Sequence, residues 1–344
     1  MRRRHILITG ARALAATAAP AVAARAQGQA PSAASPAFAP AARPITLVSG
    51  YSPGGSTDIA ARLLADRMAA NLDPAARVVV ENRPGASGVI AADWLRRQAP
   101  DGHTVMLAES GSHAIAPTAL VGWNKYDPVA DFTHLGVIGT PPLILVANNA
   151  FAAPTAAGTI AKLREAPRGS VTYATSGVGG VLHLSTEMLA QHLGTQFVHV
   201  PYRSGAQMLQ AIHTGEAQFG IAALPSAHAM VRDGLARGVA VTGTERFPTY
   251  PDIATLAESG VPGFEFTVFY ILVGPPGMAP ATAAALNRAL VASLREDPLR
   301  DRMLAAGHET WRAPNGPTDA QAFIGREIDR YREIVRRTGV RLQS

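Results

Sequence analysis

The amino-acid sequence predicts an α/β protein of two domains, the second inserted in the first. Three observations lead there. Between residues 45 and 147, strand-like apolar runs alternate with helix-like amphipathic ones, the β-α-β-α order that builds a parallel sheet with helices on its faces. The same alternation restarts at residue 171 and runs to 242. From residue 282 onward only helical patterns remain, and the first sheet is the one still lacking cover.

The chain opens with Arg2-Arg3-Arg4, an alanine-rich apolar stretch over 6–24, and Ala24-Arg25-Ala26. A positive n-region, an apolar h-region and a small-x-small site read as an export signal cut near Ala26. The stretch is too short and too weakly apolar to span a bilayer. Arg3-Arg4-His5-Ile6-Leu7 resembles a twin-arginine signal without the Ser or Thr before the pair, which leaves Sec and twin-arginine export both open. Residues 1–26 carry five arginines and no acids, so cleavage lowers the net charge from +6 to +1. With that charge and no basic run interleaved with aromatics, nucleic acid is excluded as a partner. Residues 27–43 are rich in Ala, Pro, Ser and Gln, a composition that cannot bury a core and reads as a flexible tether.

Strands are expected at 45–49, 77–81, 104–108 and 135–147, with helices at 57–70 and 86–98. Asp101-Gly102 supplies the turn before the third strand. In the second domain, strands at 171–174, 197–200, 218–222 and 239–242 are separated by helices at 181–193, 206–214 and 226–232. A strand at 264–273 returns the chain to the first sheet, and helices follow at 282–295, 299–306 and 318–338. The last of these mixes Arg and Glu around a buried stripe of Ile328, Tyr331, Ile334 and Val335. The domain limits are 44–145 with 244–344 for the first and 146–243 for the second. Two crossings, near 143–146 and between 243 and 269, make a hinge around an interdomain cleft.

Two glycine loops face that cleft, since ligands of such sheets sit beyond the carboxyl ends of the strands. The first is Ser52-Pro53-Gly54-Gly55-Ser56-Thr57-Asp58 and the second Thr175-Ser176-Gly177-Val178-Gly179-Gly180. Each joins a strand to a helix, where free backbone N–H groups and the macrodipole favour an anion. Ser56 suits an N-cap and Asp58 the first helical turn, and capping alone explains both. Capping does not explain Pro53-Gly54-Gly55, where missing side chains allow close approach of a ligand. The second loop lacks the third fingerprint glycine and a Walker lysine, which sets a mononucleotide aside. His183, Glu187, His192 and His199 lack ligand spacing, which sets a metal aside. Glu109-Ser110-Gly111-Ser112-His113 ends the third strand at the cleft, but no G-x-S-x-G elbow occurs. Tyr202, in Pro201-Tyr202-Arg203, ends a strand of the second domain and offers a ring and a hydroxyl. The absence of cysteine removes disulfides and thiolate chemistry.

Several segments recur in order in a known family: residues 52–58, Val80-Glu81-Asn82-Arg83-Pro84-Gly85-Ala86, Ala99-Pro100-Asp101-Gly102, Tyr126-Asp127-Pro128, Tyr173-Ala174-Thr175-Ser176-Gly177, His199-Val200-Pro201-Tyr202 and Gly260-Val261-Pro262-Gly263-Phe264. Over 44–340 the chain resembles periplasmic solute-binding proteins of the tripartite tricarboxylate transporter type, also called the Bug family. The resemblance implies a two-domain, type II-like periplasmic-binding-protein clamshell that performs no catalysis and holds no cofactor. It implies a small organic carboxylate gripped by Tyr51, Ser52, Gly54, Gly55, Ser56 and Asp58 from one side. Ser176, Gly177, Gly179 and His183 would grip it from the other, with Ser110 and His113 at the same cleft. Family members often carry Asp or Asn shortly before the Leu-Pro-Ser found here at 224–226, where this chain has Ala222 and Ala223. A ligand with an apolar or aromatic far end is therefore expected, with Phe269, Tyr202 and Tyr51 as walls. The implied partners are the ligand and integral-membrane permease subunits. A ligand-presenting accessory of a membrane sensor kinase, and an exported hydrolase using Ser112 or Ser176, are the alternatives.

Overall fold

The computed structural model describes residues 38–339. The export signal and residues 27–37 of the expected tether lie outside them. The last six residues of that stretch, 38–43, are folded: Phe38 packs edge-on against His103 at 5.4 Å, and Arg43 pairs with Asp101.

The first lobe begins β1 Ile45–Ser49, α1 Ser56–Leu72, β2 Val78–Asn82, α2 Val89–Leu95, β3 Thr104–Glu109, α3 Ala116–Ala119 and β4 Thr133–Gly139. The chain then enters the second lobe through β5 Leu143–Ala147, α4 Ala156–Glu165, β6 Thr172–Thr175, α5 Val181–Leu193, β7 Val198–Pro201, α6 Gly205–Thr214, β8 Phe219–Ala223, α7 Leu224–Arg232 and β9 Arg237–Val241. It returns as β10 Tyr270–Gly274 and closes with α8 Pro280–Arg295, α9 Asp297–Ala305 and α10 Pro317–Thr338. The sheet orders are β2-β1-β3-β10-β4 and β7-β6-β8-β5-β9. The fold is thus the two-lobed α/β clamshell, with the second lobe inserted in the first.

Several details differ from the sequence-based expectation. The single strand read over 135–147 is two strands in different sheets, parted by Thr140-Pro141-Pro142. Two prolines cannot donate to a ladder, so pairing ends there and the chain changes lobes. Residues 143–145, expected in the first domain, pair with β8 in the second sheet. The sheets are also mixed rather than parallel: β10 runs antiparallel to β3 and β4, and β5 antiparallel to β8 and β9. Both odd strands start at the hinge and run away from the cleft, whereas β1, β3, β6 and β8 run toward it.

Of the strand expected at 264–273, only its second half joins the sheet. The first half lies along the outgoing crossing, with Val268 N–H donating to Pro141 O at 3.2 Å. The buried Thr242 hydroxyl ties both crossings, accepting from Leu143 N–H at 2.8 Å and donating to Phe266 O at 2.5 Å. Behind the first sheet, α8 and α10 pack against β4, and α10 buries Ile324, Ile328 and Tyr331. The ion pairs Arg332–Asp329 and Arg336–Glu333 cover its outer face.

Close packing makes two outcomes measurable. At Gly139 a Cβ atom would lie 1.9 Å from Glu309 O. Gly139→Ala should therefore destabilise the protein by about 1–3 kcal/mol in urea unfolding, as overpacking does. His113 and His308 are fully buried, and burial pulls both down to about 3. The unfolded chain takes up these protons near pH 6.5, so stability is intact above that and falls as pH drops toward 3. Each histidine should contribute a loss of about 1.4 kcal/mol per pH unit, and His308→Gln should make the acid limb shallower.

Candidate ligand site between the lobes

The two glycine loops meet across the cleft. An inner cavity of about 90 Å³ is lined by Tyr51, Gly55, Ser56, Ser176, Gly177 and Gly180 among others, and opens to an outer cleft of about 720 Å³. Ser52, Gly54 and Tyr202 line the outer cleft. Met208, Leu209, Val181, Leu182, Leu143, Ala222, Ala223 and Val268 give the inner cavity an apolar wall.

Both loops are built on one plan. Gly55 is the N-cap of α1 and Gly180 that of α5, and neither helix has a side-chain cap. In contrast, Thr155 caps α4 and Ser204 caps α6. Each loop is instead held from the third residue of its helix. Asp58 accepts from Gly54 N–H at 2.9 Å, and His183 Nδ1 accepts from Gly179 N–H at 3.1 Å. No side chain caps the first N–H groups of either helix, and the residues that carry them, Ser56, Thr57, Val181 and Leu182, line the inner cavity, the arrangement that favours an anion.

Asp58 and His183 are accordingly braces behind the loops, not lining residues. Asp58 is 2% exposed and also takes bonds from Arg62 at 2.9 Å and Asn82 at 2.8 Å. Burial pushes its carboxyl up, and the bonds from Arg62, Gly54 and Asn82 outweigh that and hold it below the usual range. Asn82 also donates to Tyr51 O at 2.9 Å, so the motif at 80–86 supports the one at 52–58. His183 stacks on His199 at 4.1 Å, and burial holds it neutral more strongly than Glu187 draws it toward charge. Ser56, expected as a cap, is the first helical residue, and its hydroxyl is shared with the Tyr270 hydroxyl.

Three other candidates lie in the core. Ser110 accepts from Phe269 N–H at 2.8 Å, and Phe269 packs on Phe323 away from the cavity. Alternation along extended chain turns Val268 and Tyr270 to the cavity and Phe269 to the opposite side. His113 bonds Ser112 at 2.9 Å, both fully buried, with the imidazole between Phe132 and Tyr126. A serine and histidine sealed this way cannot reach a substrate, which removes the basis for a hydrolase there.

The structure adds Ser87, Glu109, Tyr270 and Ser226 to the lining. Ala86 and Ser87 have φ of 45° and 53°, left-handed values that cost non-glycine residues about 1–3 kcal/mol each. Ser87 stands against the second loop, since a Cβ at Gly180 would lie 2.8 Å from Ser87 Oγ. The segment Pro84-Gly85-Ala86-Ser87-Gly88 was the available signal for Ser87. For Glu109 it was the position at the carboxyl end of β3.

Comparison with known proteins places the chain in a family and supports the fold. Residues 60–340 match the model of the tripartite tricarboxylate transporter family receptor. BugT of Bordetella pertussis is 30% identical over 302 residues, covering 88% of this chain and 91% of that one. Among solved structures, an R. palustris protein with adipate superposes with a TM-score of 0.82 at 31% identity, covering 88% of this chain and 99% of the other. MatC from Rhodopseudomonas palustris with bound malate gives 0.78 at 29% identity, covering 86% and 99%. The chain belongs to the receptor family of the tripartite tricarboxylate transporters, the Bug-type solute-binding proteins, and is a binding protein, not an enzyme.

Proposed function

We propose that this protein, exported and cut near Ala26, captures a small organic carboxylate in the periplasm and delivers it to the membrane permease of a tripartite transporter. The observation that carries this reading is the convergence of two uncapped helix N-termini, with Ser56, Ser87 and Ser176, on one cleft between hinged lobes. Micromolar capture needs about 8 kcal/mol, which charge-assisted bonds to backbone N–H and hydroxyl groups at about 1.5–3 kcal/mol each can supply. The relatives solved with adipate and malate carry such ligands. The apolar wall at Met208, Leu209, Ala222 and Ala223 favours a solute whose far end is hydrocarbon or aromatic. Closure over the ligand presents the lobes to the permease in one arrangement, so discrimination between open and closed forms rests on ligand contacts made only when closed.

Thermal unfolding of the protein lacking residues 1–26 tests this against adipate, malate, benzoate, citrate and aspartate. A ligand at a hundred times its dissociation constant stabilises by about 2.7 kcal/mol. Benzoate should shift the transition more than citrate or aspartate, and no shift with any carboxylate would overturn the reading. Asp58→Ala should weaken the best ligand about tenfold in calorimetry by freeing the first loop, with Asp58→Asn in between because it keeps an acceptor for Gly54 N–H.

A further inference from the structure

Glu109 is the one acid in the inner cavity, and among the described residues no Lys, Arg or His lines that cavity with it. Glu109 is 8% exposed, and its carboxyl accepts from the Tyr51 hydroxyl. Gly111 leaves the space it occupies: a Cβ there would lie 2.7 Å from Glu109 Oε1 and 3.0 Å from Tyr51 Oη. The groups facing it from the surrounding elements are uncharged. Tyr51 comes from the first loop, Tyr270 from β10 and Tyr331 from α10, and burial pushes the phenols of Tyr270 and Tyr331 up. His308, beside Tyr270, and His113, in the turn after β3, are both held neutral by burial. Arg330 on α10 is engaged with Glu327 and Thr267. An ionised Glu109 and an ionised ligand would therefore be two anions in one small cavity with no cationic side chain in its lining, which favours protonating one of them.

Resting on the carboxylate reading above, we propose that Glu109 is a specificity-determining residue that meets the solute as an uncharged carboxyl group. It donates its O–H to a solute oxygen, so above its midpoint, where the free protein has lost that proton, a carboxylate enters together with one. The proton comes from solvent and stays on the Glu109 carboxyl, and no covalent bond is made or broken. Tyr51 holds one carboxyl oxygen and leaves the other to face the ligand. Burial, partly offset by the Gly111 N–H, raises the Glu109 carboxyl to about 8, in keeping with this state at neutral pH.

Carbon-13 NMR of glutamate-labelled, ligand-free protein, with E109Q for assignment, should place the Glu109 midpoint near pH 8. Calorimetry with the tightest of adipate, malate and benzoate, in two buffers of different ionisation enthalpy, should show about one proton taken up per ligand at pH 9. The dissociation constant should rise about tenfold from pH 7 to pH 9. E109Q, which keeps a neutral donor, should bind with no proton uptake and no such pH dependence. A midpoint near 4.5, binding without proton uptake, or loss of binding in E109Q overturns the proposal and leaves carboxylate capture standing. No binding of any carboxylate at pH 6 overturns both.

Discussion

The two passages of the chain between its sheets are tied together by backbone hydrogen bonds and by one buried hydroxyl that reaches both. Thr242 holds Leu143 on the way out and Phe266 on the way back, so neither lobe can move without bending both crossings at the same place. That constraint sets strand direction. Segments that leave the hinge, β5 and β10, run away from the cleft, and the strands that bear the loops run toward it. Loop after loop is delivered to the same gap because the sheets face it with their carboxyl ends.

The grip on a ligand rests on a device used twice. In each lobe a glycine N–H is taken by a side chain four residues on, at the third position of the following helix: Gly54 by Asp58 and Gly179 by His183. An ordinary N-cap would have consumed the first helical N–H groups. Bracing from inside the helix fixes the loop and spares them. A charged brace serves the first lobe, where Arg62 pairs with it and Asn82 donates to it, and a neutral one the second, where stacking on His199 fixes the ring.

The chemistry of such a site differs from a cationic one. Dipoles and hydroxyls can hold an anion without a fixed positive charge. On the proposal above, Glu109 adds a carboxyl of its own among those donors as a neutral group. Strain stored at Ala86 and Ser87 points the same way, as it keeps a hydroxyl at the line where the lobes meet.

Much of this was legible from the chain. Alternating periodicity placed nearly every strand and helix, the restart of the pattern revealed the insertion, and the two glycine loops marked the cleft, because these features are set by near neighbours in sequence. The orientation of β10 and β5, the turn of Phe269 away from the cavity and of Tyr270 into it, and the burial of Ser110 and His113 were not legible. They depend on which face of a strand meets which sheet. Glu109, Ser87 and Tyr270 come from three distant segments and become one site only when the sheets pack. The sequence by itself determined the elements, their order and the two anion-seeking turns, through local propensity and spacing. Which side chains face the ligand, and which merely hold the loops, was decided by tertiary packing, because facing is a property of the assembled sheets and not of any one strand.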